Sequence, residues 1–310
     1  MGVGHGHGHE PGHASSRAED RRRLWLVVAI SAVVLVVEVI GSVLSGSLAL
    51  LADAGHVLTD VVAVLLALAA SYLATRPAND RRTFGYHRAE ILAALVNAVI
   101  LVGVCGSLAY VGIRRLVDPP EVAAGQMLVF ALVGLLANGV GLALLASRRS
   151  SSLNMRGAFL EVLGDAMGSA AAVLAGLVIL TTGWLRADPL ASLVIAALIV
   201  PRALSLLRDA GAVLFESTPA GVDVPAMRDH LLAMDGVVDV HDLHVWTITS
   251  GMPSLSAHIT VTDACLAQRG VGAVLDTLAA CARSDFGIEH ATFQVEPQSH
   301  QEHEHLGEGH

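Results

Sequence analysis

The sequence predicts an α-helical membrane protein, with six transmembrane helices followed by a small α+β domain in αββαβ order. Three observations carry this. The chain is 54% hydrophobic and only 15% charged, with a mean hydropathy of +0.61, which is a membrane protein's balance. Six apolar segments, at 24–45, 48–75, 87–116, 123–147, 156–182 and 188–214, each reach the ~20 residues needed to cross ~30 Å of hydrocarbon. Beyond about residue 215 the long apolar runs stop, and helix-like and strand-like periodicities take over.

The elements follow in order. Residues 1–23 read as a flexible cytoplasmic tail in which His5, His7, His9 and His13 alternate with polar residues and glycine. Such a tract buries no core, although it can capture metal loosely. It lacks the short apolar core and cleavage site of a signal peptide. A second His-rich tail, HQEHEHLGEGH, closes the chain within residues 298–310.

Arginine placement orients the six spans. Arg17, Arg21, Arg22 and Arg23 precede the first. Arg76, Arg81, Arg82 and Arg88 lie between the second and third, Arg148, Arg149 and Arg156 between the fourth and fifth, and Arg202 and Arg208 near the end of the sixth. The opposite side holds only Arg114, Arg115 and Arg186. By the positive-inside rule both termini are cytoplasmic, as expected of a multi-pass protein of the cell (inner or plasma) membrane. The lipid bilayer is therefore its first partner.

Small residues recur in the spans. Gly164 and Gly168 make a small-xxx-small pattern that predicts close packing of the fifth helix beside the second. Glu38 and Asn97 read as interhelical hydrogen-bonding partners. Glu90 reads as a solvated boundary residue, and Asp53 as lining an access path.

The last domain spans residues 216–297. Val224, Met227, Leu231 and Met234 mark an amphipathic helix. Val237–Thr249 and Ser254–Val261 read as strands around a Gly-Met-Pro turn, Leu266–Ser284 as a second helix and Glu289–Val295 as a last strand. That order gives a small sheet with helices on one face. Strict alternation puts His241 on one face of its strand and Asp242 and His244 on the other. His244 and Trp246 read as ordinary sheet residues.

Charge narrows the partners. The net charge of −9 is uneven: from Glu216 onward fourteen acids face three arginines. An acidic domain excludes nucleic acid as a partner and favours cations. Cys105, Cys265 and Cys281 are scattered, in no disulfide or metal spacing, which fits a reducing cytosolic setting.

The chemistry lies inside the spans. Ser47–Ala70, SLALLADAGHVLTDVVAVLLALAA, carries His56 and Asp60 four apart, hence stacked on one helix face. Glu161 and Asp165 repeat the spacing in FLEVLGDAMGS. Ionisable groups cost at least ~2.5–3.5 kcal/mol at a membrane helix centre and rarely sit there without a task. Each pair taken alone could be a polar stripe lining a packed interface. Two matched pairs offer four N and O ligands, the tetrahedral number zinc prefers.

Four blocks, SGSLALLADAGHVLTD, FGYHRAEILAALVN, LEVLGD and HDLHVW, resemble the cation diffusion facilitator family, and the resemblance runs from Leu24 to Pro297. It implies a dimeric secondary transporter that exports zinc or a related divalent metal from the cytoplasm in exchange for protons. It also implies a metallochaperone-like fold for the last domain, which dimerises. His56, Asp60, Glu161 and Asp165 would bind the cargo; the usual zinc branch has His where this chain has Glu161. The resemblance further implies that His241, His258 and Glu296, joined by His87, hold a regulatory metal. No cofactor is implied beyond the divalent ion itself, zinc or another, as cargo and regulator.

Two other classes fit less well. An intramembrane metallohydrolase needs an open coordination position beside a general base, and no His-Glu-x-x-His is present. A metal sensor would leave the intramembrane acids without a task. Among transported ions, one nitrogen and three carboxylates make a harder site than two histidines would, so cobalt, cadmium, manganese or iron are alternatives to zinc.

Overall fold

The computed structural model describes residues 11–147, 149 and 153–303, with side chains described outside 11–21, 153–154 and 301–303. His5, His7 and His9 of the first tail and residues 304–310 of the second lie outside them.

Among the described residues, six helices are long and apolar enough to cross a membrane. They are α1 (Pro11–Ser45), α2 (Leu48–Ala74), α3 (Ala89–Val117), α4 (Ala124–Ala146), α5 (Leu153–Thr182) and α6 (Ala187–Leu214). Helix α1 starts at Pro11, inside the stretch read from sequence as a flexible tail. After the membrane helices come α7 (Val224–Leu232), β1 (Val237–Thr249), β2 (Met252–Val261), α8 (Asp263–Ser284) and β3 (His290–Pro297), the αββαβ order expected. The chain forms two compact units. One comprises residues up to Val64 with Asn97–Leu204; the other comprises Leu65–Val96 with the residues from Ser205 on.

The core of the first unit is built from Leu48 and Leu50 on α2, Leu101 and Leu108 on α3, Met127 on α4, Ile179 on α5 and Ile195 on α6. Glycines set how closely its helices approach. A Cβ at Gly41 of α1 would fall 2.5 Å from the Phe130 ring of α4, so only hydrogen fits there. Of the pair Gly164 and Gly168, only Gly168 is at a tight contact, against Asp53 of α2; Gly164 faces open space.

The corner between α1 and α2 turns on Gly46 at φ 73°, a left-handed value glycine adopts without strain. Four N–H groups at the start of any helix lack intrahelical partners. Ser47 Oγ accepts one of them, from Leu50 N at 3.2 Å. Asp188, at the start of α6 and fully buried, accepts from Leu48 N (2.8 Å), Ala49 N (3.0 Å) and Ser47 Oγ (2.5 Å). Arg115 of α3 lies 3.8 Å from the same carboxylate and donates to Gly46 O at 2.8 Å. A buried acid thus caps the helix that carries His56 and Asp60.

In the second unit, Asp223 caps α7 by accepting from Ala226 N (3.0 Å), and Thr262 caps α8 by accepting from Cys265 N (3.3 Å). Strand β2 is central, antiparallel to β1 and parallel to β3. Met227, Leu231, Val240, Val245, Leu255, Ile259 and Leu278 fill the space between helices and sheet. Pro253, read from sequence as part of the turn, is a strand residue opposite Thr247. It is tolerated because pairing with β3 begins only at Ser254, so no β3 acceptor waits for the N–H that proline lacks.

Strict alternation along β1 fails at one point. Asp242 takes φ 46°, and the register slips between His241, opposite His258, and His244, opposite Ser256. This bulge puts His241 and His244 on the same face, not on opposite ones. Glu90, expected to be solvated, accepts a hydrogen bond from Thr249 Oγ1 at 3.0 Å.

Candidate metal centres

Helix α2 turns Leu51, Leu58 and Leu65 outward and its polar stripe inward. His56 is 8% exposed and Asp165 of α5 is 4% exposed. His56 Nδ1 lies 3.8 Å from Asp60 Oδ2, and His56 Nε2 lies 3.7 Å from Asp165 Oδ1. Donor atoms of all three residues fall within 4.8 Å of one another. His56 Nδ1, Asp60 Oδ2 and Asp165 Oδ1 are each buried without a hydrogen-bond partner. Unsatisfied donor atoms in a dry site are costly unless a cation satisfies them together. Ligands at ~2.0–2.1 Å around a tetrahedral zinc stand about 3.3 Å apart, so a trio whose donor atoms lie within 4.8 Å of one another must draw in by up to roughly 1.5 Å to close on an ion.

Glu161 stands at the edge of the trio. It sits beside Asp60, close enough to share a hydrogen bond, but its Oε1 lies 3.7 Å from Arg202 Nη2 of α6. The sequence reading missed Arg202 as a partner because it is 41 residues away and on another helix (202 less 161).

Asp53, expected along an access path, is only 1% exposed and is closed off. Ser169 Oγ of α5 donates toward Asp53 Oδ2 (2.8 Å) and lies 3.3 Å from Glu38 Oε1 of α1. Asn138 Nδ2 of α4 lies 3.3 Å from the same hydroxyl. Glu38 is therefore an interhelical hydrogen-bonding partner, as its sequence suggested.

A second group forms on the open face of the sheet. His258 Nδ1 lies 2.9 Å and His241 Nε2 3.5 Å from the two oxygens of Glu296. The two imidazole rings stand 5.2 Å apart, edge to face. Glu296 is 4% exposed and its Oε2 has no hydrogen-bond partner, while Gln294 Nε2 donates to Oε1 at 2.7 Å. Asp239 Oδ2 lies 3.2 Å from His241 Nδ1 and fixes the ring, the orienting arrangement common behind metal-bound histidine. Two histidines and one carboxylate fit a zinc-like ion and leave a fourth position free. His87 is not in this group among the described residues.

A third group, His230, Cys281 and Asp285, was not visible in the sequence because α7 and the end of α8 meet only in the fold. His230 Nε2 lies 3.1 Å from Asp285 Oδ2. Burial, and then the Asp285 carboxylate, pushes the Cys281 thiol up, so this sulfur is held as a neutral thiol.

Comparison with known proteins finds relatives along nearly the whole chain. A family model described as the cation efflux transmembrane domain matches residues 24–215, and one described as the cation efflux protein, cytoplasmic domain, matches residues 219–298. The metal cation efflux system protein CzcD of Cupriavidus metallidurans is 40% identical over 296 residues, covering 96% of this chain and 90% of that one. The zinc transporter ZitB of Escherichia coli is 38% identical over 310 residues, covering 99% and 97%. A cadmium, cobalt and zinc/H(+)-K(+) antiporter of Bacillus velezensis is 36% identical over 302 residues, covering 96% and 93%.

Proposed function

This chain belongs to the cation efflux family, the cation diffusion facilitators, and from that membership we propose that it exports a divalent transition metal, zinc foremost, from the cytoplasm in exchange for protons. It is a transporter and not an enzyme. The observation that carries the reading is that His56, Asp60 and Asp165 offer donor atoms within 4.8 Å of one another between α2 and α5, with His56 Nδ1, Asp60 Oδ2 and Asp165 Oδ1 buried and without hydrogen-bond partners. Metal needs a neutral imidazole and ionised carboxylates, so binding releases protons and protonation releases metal. The same side chains carry metal one way and protons the other, provided the helices rock so that the site opens alternately to each side.

Glu161 completes the site together with Arg202. The guanidinium cancels the extra carboxylate, so the pair is electrically equivalent to the neutral histidine usual in the zinc branch. Three carboxylates, one guanidinium and a divalent ion then sum to zero, which suits a loaded site inside a membrane. Cadmium and cobalt are the cargo alternatives that the name of one relative supports.

The molecule acts as a homodimer in the cell membrane with both termini cytoplasmic, a reading supported by the arginine distribution and the match to the cytoplasmic domain of the family. His241, His258 and Glu296 hold a regulatory ion; the buried Glu296 carboxylate, with one oxygen 3.5 Å from His241 Nε2 and the other 2.9 Å from His258 Nδ1, supports this.

The test is zinc flux in proteoliposomes under an imposed pH gradient. Wild type should move zinc and protons in opposite directions. Asp60→Ala should abolish flux while folding normally, and near-wild-type flux in the folded variant would remove Asp60 from the site. A wild type that moves no divalent metal would overturn the exporter reading itself.

A further inference from the structure

One helical turn from the metal trio, a polar cluster of another kind lies buried among four helices. Asp53 precedes His56 by three residues and Ser169 follows Asp165 by four. Glu38 of α1 is 0% and Asp53 of α2 is 1% exposed. Ser169 Oγ stands between them, 2.8 Å from Asp53 Oδ2 and 3.3 Å from Glu38 Oε1. A hydroxyl carries one proton and serves one acceptor at a time. Glu38 Oε2 and Asp53 Oδ1 have no hydrogen-bond partner at all.

The fold makes room for this pair at the expense of two side chains. A Cβ at Gly134 of α4 would come within 2.7 Å of Glu38 Oε1, and one at Gly168 of α5 within 2.3 Å of Asp53 Oδ1. Helix α4 adds only neutral groups, Gly134 and Asn138. Asp165 of α5 is the further charged group facing the pair, and it has the same sign. Among the described residues neither carboxyl is paired with a cation.

Two carboxylates in one dry space cannot both stay ionised without a counter-ion. A proton shared between them is the smallest counter-ion and needs no coordination shell. Ser169 and the two glycines fit that occupant, since they leave space for oxygens that approach each other but supply no ring of ligands for a metal.

We propose that Glu38 and Asp53, bridged by Ser169, form a proton-binding site separate from the metal ligands, loaded with one proton while the transport site is empty and discharged when cargo binds. The step is an ionisation: one carboxyl O–H bond breaks, its electron pair stays on oxygen, and the proton leaves to water. The divalent charge one turn away then replaces the proton as counter-ion. When cargo departs, a proton returns. This rests on the exporter reading and names a carrier for part of the protons exchanged.

The experiment titrates the purified full-length protein with zinc in weakly buffered solution near neutral pH, reading zinc bound and protons released per protomer. Glu38→Gln should bind as much zinc as wild type yet release about one proton fewer. Asp53→Asn should show the same loss, and it serves if Glu38→Gln fails to fold. Ser169→Ala, which keeps both carboxyls, should keep the full proton count. An unchanged count in both carboxyl variants overturns the proposal, because the proton then never leaves. Loss of a bound zinc with either variant overturns it too, because the pair then holds metal. A deficit in Ser169→Ala equal to that in Glu38→Gln would make the effect one of packing and sinks it as well. Wild-type zinc flux, measured separately, decides the exporter reading whichever way the proton count falls.

Discussion

Arg202 changes what Glu161 means. Read alone, Glu161 is a substitution of a hard ligand for a softer one; beside a guanidinium 3.7 Å away it is half of a neutral pair. Glu161→His therefore supplies a second nitrogen but strands a positive charge near a cation site. Arg202→Gln strands a negative one. We expect each single variant to lose about tenfold in zinc flux, and the double variant to regain most of it, because the two residues are coupled. The double variant should also favour zinc over manganese more sharply than wild type, since nitrogen suits zinc and carboxylate suits harder ions. Initial fluxes of zinc and manganese in the four proteins check this, and strictly additive losses would remove Arg202 from the site. The sequence marked His56 with Asp60 and Glu161 with Asp165 as candidates because regular spacing marks a shared helix face, and the fold brings His56, Asp60 and Asp165 together. It did not disclose Arg202 as a partner of Glu161, or Ser169 as a bridge. Those roles depend on which helix or strand face meets which, and no local spacing encodes that.

At the scale of the element, helices α2 and α5 meet where one glycine is needed and its neighbour is not. Gly168→Ala would press a methyl group into Asp53, whereas Gly164→Ala meets nothing within 4 Å. Overpacking of this kind costs ~1–3 kcal/mol, while alanine in a helix gains up to ~1 kcal/mol over glycine. Gly168→Ala should thus lower the thermal unfolding midpoint in detergent, and Gly164→Ala should hold or raise it. Equal effects from the two would mean that the helices do not approach at Gly168. The six long helices were legible from length and hydropathy alone, because the bilayer permits few other ways to satisfy a backbone. The β1 bulge was not. Asp242 at φ 46° is a single residue out of alternation, and it moved His244 onto the face of His241 against the sequence expectation.

For the molecule as a whole, the uneven charge sets how two copies meet. The stretch from Glu216 onward carries fourteen acids against three arginines, so two such domains brought together repel unless cations bridge them. Zinc bound at His241, His258 and Glu296 should shorten distances between labels on the paired cytoplasmic domains, and Glu296→Gln should blunt the change. Unaltered distances at saturating zinc would argue against regulation through this group. The division into membrane and acidic parts was visible in composition; the fold of the acidic part followed from its periodicities, with Pro253 misplaced because the turn is shorter than its residues suggested.

The buried carboxylate of Asp188 also bears on how the chain comes to be assembled. It satisfies Leu48 N and Ala49 N across gaps of 140 and 139 residues. A ribosome releases α2 long before it makes α6, so these amide groups and the Ser47 hydroxyl must wait, hydrated or covered by something else. Helix α2, which carries His56 and Asp60, therefore cannot reach its final seating until the last membrane helix has been synthesised. A chain interrupted before Asp188 carries His56 and Asp60 on a helix whose beginning is still unsettled, so it is completion of the last membrane helix that fixes these two residues in place.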